Sequence, residues 1–157
     1  MGKEREIIDR LIGKIYPVSE VGRQKLSDIL MRFHLEKGDY FLHERQVCKY
    51  IGFVEQGMVR QFYTKGNRDL TEHFTYENGV FLCLESFFRQ IPSYLQVEVL
   101  EESVIYALPH DALMQLIRER QEIHYLYSGI LENCLIISQQ KADASRFETA
   151  HERYNRL

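Results

Sequence analysis

The sequence predicts an α+β, mainly β fold: a double-stranded β-helix, or jelly roll, with two helices in front of it and a long helix behind. Three observations predict it. Between residues 33 and 108 apolar side chains recur at every second position in short runs. Glycine-centred turn signals separate these runs at intervals of roughly ten to twenty residues, the spacing of a sandwich, roll or barrel. Beyond residue 123, apolar side chains recur at threes and fours for about thirty-five residues, a helical stripe too long for one small sheet to cover.

The elements follow in order. Over residues 4–16, Ile7, Ile8, Leu11, Ile12 and Ile15 form one helical stripe, which Pro17 is expected to end. Ser19 is a plausible N-cap for a second helix carrying Val21, Leu26, Ile29, Leu30 and Phe33. Helices are therefore expected over 4–32, and the roll over 33–108. Lys37-Gly38-Asp39, Gln56-Gly57, Lys65-Gly66-Asn67 and Glu77-Asn78-Gly79 mark turns between strands at 40–42, 50–54, 59–63, 70–76, 80–82, 95–99 and 104–108. Pro109-His110-Asp111 opens the C-terminal helices, 109–157. The last of these carries Ile123, Tyr127, Ile130, Cys134 and Ile137, the residues expected to pair with a second copy in a homodimer; an intrachain core helix is the alternative. No capping residue closes the chain at Leu157, so the sequence reads as cut within a helix.

Composition narrows the function. A length of 157 residues suits one domain, 1–157. A formal net charge of -3 does not supply the clustered cations that phosphate contacts require, so this segment is not expected to grip nucleic acid directly. Cys48, Cys83 and Cys134 are odd in number, widely separated and never CxxC, which suggests neither a disulfide framework nor a thiolate metal site and fits a reducing cytoplasm. The charged N-terminus lacks a secretory signal, and no run approaches the ~18 apolar residues of a membrane span, so no membrane partner is expected.

The ordered set Leu35-Glu36-Lys37-Gly38-Asp39-Tyr40-Phe41, Tyr50-Ile51-Gly52-Phe53-Val54-Glu55-Gln56-Gly57, Thr71-Glu72-His73-Phe74, Leu84-Glu85-Ser86-Phe87-Phe88 with Pro92-Ser93, and Val97-Glu98-Val99-Leu100-Glu101 resembles the Crp/Fnr family of bacterial transcription regulators, in particular its divergent Bacteroidetes-type members. The resemblance implies a roll like that of cyclic-nucleotide-binding domains, an effector-sensing role, and a C-terminal dimerisation helix. It also implies DNA binding through a winged helix-turn-helix beyond residue 157, which is absent from this chain.

The ligand cassette departs from the family. Nucleotide binders in it use Gly-Glu and, about ten residues later, Arg-Ser or Arg-Thr to hold ribose and cyclic phosphate. In an ungapped register, Leu82-Cys83 and Ser93-Tyr94 occupy these positions. Loss of the guanidinium leaves a buried phosphate unpaired, a defect of several kcal/mol. Cyclic AMP is therefore not expected as a ligand, no cofactor is assigned, and an unidentified small effector stays open. Its pocket would be walled by Leu82, Cys83, Glu85, Ser86, Ser93 and Tyr94, with Tyr127, Ile130 or Leu131 leaning over from the long helix. Glu85 could hold a cationic or hydroxylated group, or serve as N-cap of a short Ser86-Phe87-Phe88 turn. His73 or Cys83 could be nominated as a haem ligand, but a packed residue is the commoner case.

Two other classes compete. A cupin-type metal enzyme would share the roll but needs a facial His/His/carboxylate set, and the six histidines are scattered without an HxH. No catalytic or metal residue is nominated, and no enzymatic activity is expected. A stand-alone binding or scaffold module is the stronger alternative.

Overall fold

A computed structural model describes residues 2–13 and 15–156, with side chains through residue 144. Helix α1 (Gly2–Ile12) buries Ile7, Ile8, Leu11 and Ile12, the stripe its spacing predicted. It ends before Pro17, at Gly13, whose φ of +48° places it in the left-handed region and whose N–H donates to Asp9 O at 3.0 Å. That is a glycine C-terminal cap, so the helix stops without help from the proline. Helix α2 (Glu20–Ile29) starts as expected: the Ser19 hydroxyl accepts from the Gly22 N–H at 3.1 Å.

The expected second helix runs too far. Leu30 is extended, and Met31–Leu35 is the first strand, β1, antiparallel to β8 (Ser103–Pro109) from Met31 opposite Ala107 to Leu35 opposite Ser103. Phe33 therefore packs edge-on against Phe41 at 5.3 Å and Tyr50 at 5.4 Å instead of extending a helical face. Pairing with β8 overrides a periodicity that local sequence could not separate from helix.

The other strands are β2 (Tyr40–Leu42), β3 (Tyr50–Gln56), β4 (Val59–Lys65), β5 (Arg68–Thr75), β6 (Val80–Phe81) and β7 (Gln96–Val99). They form two four-stranded sheets, β1-β8-β3-β6 and β2-β7-β4-β5, in which every pairing is antiparallel. This is the predicted antiparallel roll. Residues of the two sheets meet in a core that includes Phe53, Val54, Val59, Val97, Val99 and Ile105, each at most 2 % exposed. Burying a side chain of this size contributes roughly 1.5–3 kcal/mol.

Two glycines are fixed by close approach. At Gly57, φ is +102° and an added Cβ would meet Ser103 Cβ at 2.7 Å, so the β3–β4 turn closes only without a side chain. At Gly52, the Phe81 ring from β6 lies over the backbone, with Cε2 2.7 Å from the position of a Cβ.

Between β6 and β7 lies α3 (Leu84–Arg89), with Phe87 fully buried. Helix α4 (His110–Glu119) leads to α5 (Gln121–Arg156), and α4 packs on α5, α2 and β8. Helix α5 buries Ile123 to 0 %, Leu126 to 4 % and Ile130 to 7 % exposure. Ile123 and Ile130, expected on a face for a second copy, are thus core residues of their own chain. Phe147 and later positions of the long helical stripe lie outside the described side chains.

Candidate functional site

The turn after β6, the start of α3, the loop before β7 and the middle of α5 converge on a cavity of about 630 Å³. Local packing builds its floor. Cys83 is the N-cap residue of α3 and makes no side-chain capping bond. The Ser86 hydroxyl accepts from the Cys48 N–H at 2.8 Å and donates to Ile91 O at 2.6 Å, so it ties three segments together. Ser93 closes on its own loop, its hydroxyl donating to Leu95 O at 2.9 Å and accepting from the Leu95 N–H at 3.0 Å. Gln61 of β4 donates through Nε2 to Leu82 O at 3.1 Å and to Cys83 Sγ at 3.5 Å. The polar groups of the floor are therefore engaged with one another.

Of the expected lining residues, Leu82, Cys83, Glu85, Ser86, Ser93 and Tyr94 all face this cavity, as does Ile130. Tyr127 and Leu131 do not. Tyr127 stands half-buried outside it, edge-on to Phe88 at 6.2 Å, because its position on α5 turns it toward the back of α3. From the same helix, Cys134 and Ile137 line the cavity instead, although both were expected at a dimer face. Glu85 does not cap α3. It sits inside the first turn, 63 % exposed and 3.9 Å from the Arg89 guanidinium, which is itself 70 % exposed.

Sequence reasoning missed Gln61, Glu72 and Lys141, which also line the cavity, as does His73, which it nominated only as a haem ligand. Lys141 Nζ of α5 bonds His73 Nδ1 of β5 across the mouth. Burial lowers the His73 pKa, and the Lys141 charge lowers it further, which keeps the imidazole neutral and able to accept. Burial raises the Tyr94 phenol, with Glu72 next and Glu85 adding to it. Alternation along β5, which turns Glu72 and His73 to opposite faces, gave no reason to place both at one site. The β4–β5 bulge between Gln61 and Phe62 breaks that alternation opposite them.

The cavity thus has apolar walls, an internally bonded polar floor, one ammonium and two carboxylates. Among the described residues no arginine lines it. The nominated haem ligands are both occupied, His73 by Lys141 and Cys83 by Gln61.

Two four-stranded antiparallel sheets, with a short helix between β6 and β7 and a long C-terminal helix after them, form a jelly-roll domain. Residues 32–120 match the model of the cyclic nucleotide-binding domain, more than half the chain, and the chain belongs to that family. No curated protein matches it. Among solved structures, a cyclic nucleotide-binding domain from Methylobacillus flagellatus KT is similar with a TM-score of 0.76 at 16 % identity, over 88 % of this chain and 80 % of the other. The sensor domain of the transcriptional regulator DNR from Pseudomonas aeruginosa gives 0.71 at 16 %, over 91 % and 95 %. The catabolite activator protein of Thermus thermophilus gives 0.69 at 17 %, over 88 % of this chain, which spans 64 % of that protein's length. At these identities the likeness is one of fold, shared with the sensor regions of Crp/Fnr-type regulators.

Proposed function

We propose that this chain is the sensor and dimerisation part of a Crp/Fnr-like transcription regulator whose effector is a small, mainly apolar molecule and not a cyclic nucleotide. The observation that carries the reading is the charge of the cavity. Cyclic phosphate requires a guanidinium or equivalent donors at the floor. Here Ser93 bonds Leu95, while Glu72 and Glu85 contribute negative charge on the same walls. With Lys141 engaged by His73 at the mouth, placing a phosphodiester beside two carboxylates without an arginine costs more than its remaining contacts return. Apolar walls of this extent favour a ligand held by burial, oriented by a few polar groups at the mouth such as Lys141.

Helix α5 links this cavity to a partner. Ile130, Cys134, Ile137 and Ser138 face the cavity, while Leu131, Leu135 and Ala142, spaced by four and seven, follow along an adjacent face, a spacing that suits a helix–helix seam. An effector that favours one placement of α5 would shift the geometry of the dimer, and through it that of DNA-binding heads outside this sequence. The reading places the protein in the cytoplasm and assigns it no catalysis. No helix of the described residues is long and apolar enough to cross a membrane. The group His34, Glu36 and Glu102, which could approach a metal, lies exposed and apart from the cavity.

Isothermal titration with cyclic AMP and cyclic GMP tests the proposal. No binding at millimolar nucleotide is the expected result. Micromolar binding abolished by Ser86→Trp in the cavity floor would overturn it.

A further inference from the structure

The fold brings together two thiols that lie far apart in the sequence. Cys48, on the loop before β3, and Cys83, the N-cap of α3, both line a second cavity of about 360 Å³. They are 6 % and 2 % exposed. Three contacts hold the two segments together: the Cys48 N–H on Ser86 Oγ at 2.8 Å, Gln90 Nε2 on Cys48 O at 3.1 Å, and the bridge pairing Val47 with Pro92. The Cys48 thiol donates to Tyr50 O at 3.4 Å, and the Cys83 thiol lines the same cavity. Exposed Gln46 and Lys49 stand on the wall of the same cavity, which therefore reaches solvent.

We propose that Cys48 and Cys83 are a hydroperoxide-responsive dithiol that closes to an intramolecular disulfide. The neighbouring Cys83 lowers the Cys48 pKa to about 7 despite burial, whereas Cys48 and burial raise that of Cys83, so the first proton leaves from Cys48. The Cys48 thiolate attacks one peroxide oxygen. An S–O bond forms, the O–O bond breaks, and the departing alkoxide or hydroxide takes up a proton, leaving Cys48 as a sulfenic acid and the peroxide reduced to alcohol or water. The Cys83 sulfur then attacks the Cys48 sulfur. The S–S bond forms, the S–O bond breaks, and water leaves with the Cys83 proton. In a reducing compartment such a disulfide is transient, as a signal requires. Because Cys83 also lines the larger cavity, the bridge would fasten the loop before β3 to the start of α3 at the wall of that cavity. The chemistry stands whether or not the larger cavity takes an effector.

The test is hydrogen peroxide titration of the reduced full chain, carried out on the wild type and on Cys134→Ser, followed by alkylation and non-reducing peptide mapping. The expected result is a Cys48–Cys83 linked peptide in both proteins, lost on treatment with dithiothreitol, and a fall from three alkylatable thiols to one in the wild type. In Cys83→Ser the oxidation should stop at a Cys48 sulfenic acid trapped by dimedone. Oxidation confined to Cys134, disulfides only between molecules, or both buried thiols still alkylatable after unfolding would overturn the proposal. The wild-type peptide map decides the matter even if a cysteine variant fails to fold.

Discussion

Ser19 and Glu122 fasten the first turn of α5 to the cap of α2. The Ser19 N–H donates to Glu122 Oε2 at 3.1 Å and its hydroxyl donates to Oε1 at 2.6 Å, while the same hydroxyl accepts from the Gly22 N–H. Arg120 Nε adds a bond to Oε1 at 3.2 Å. Helix α5 is thus anchored at its start, 103 residues along the chain from Ser19, before it crosses the cavity.

That anchor sets a pH dependence. The Glu122 pKa is lowered, chiefly by the Ser19 hydroxyl and then by its backbone and Arg120. A depressed carboxylate stabilises the fold fully above its unfolded value, near 4.3, and the contribution is lost as pH falls through the lower folded value. Glu122→Gln is expected to cost about 1 kcal/mol at neutral pH, at the low end for a bond to a charged group because the carboxylate is partly solvated. Urea melts of the two proteins should converge in acid.

Gly57→Ala should destabilise the roll by about 2–3 kcal/mol, since the residue must keep a positive φ and its Cβ would press on Ser103. Gly38→Ala, also at positive φ but with open space around it, should cost less. Thermal or urea unfolding of the pair separates strain from crowding.

Lys141 crosses the cavity mouth to His73. Lys141→Met should raise the His73 pKa, and only part of the way to its ordinary value, because burial is the larger cause of the depression. An imidazole titration by NMR reads this directly. An unchanged value would mean that α5 does not hold the ammonium over β5 in solution.

Leu135 is 67 % exposed on α5. If α5 pairs about a two-fold axis, Leu135→Glu places like charges across the seam and should move light-scattering mass from dimer to monomer. Folding stability of the monomer should change by no more than about 0.5 kcal/mol, since an exposed side chain loses no core contact. A wild-type monomer at working concentration would remove the basis for this prediction.

The sequence by itself determined the layers: helical stripes at α1 and α5, the Ser19 cap, and strands punctuated by glycine turns. These are local periodicities and residue identities, which need no knowledge of the partner surface. It misplaced the end of α2, because Phe33 fits a helical stripe as well as a strand until β8 supplies the pairing. It identified most of the cavity floor from Leu82 to Tyr94, a nearly continuous segment. The other side was hidden. Whether Ile123 or Leu135 faces the roll depends on the rotation of α5, which Ser19 and Glu122 fix through contacts distant in sequence. Glu72, His73 and Lys141 meet only because α5 crosses β5. Cys48 and Cys83 read as isolated thiols until the bridge between Val47 and Pro92 and the Ser86 hydroxyl bring them to one cavity. Such proximity belongs to packing between distant segments, and no period along one chain encodes it.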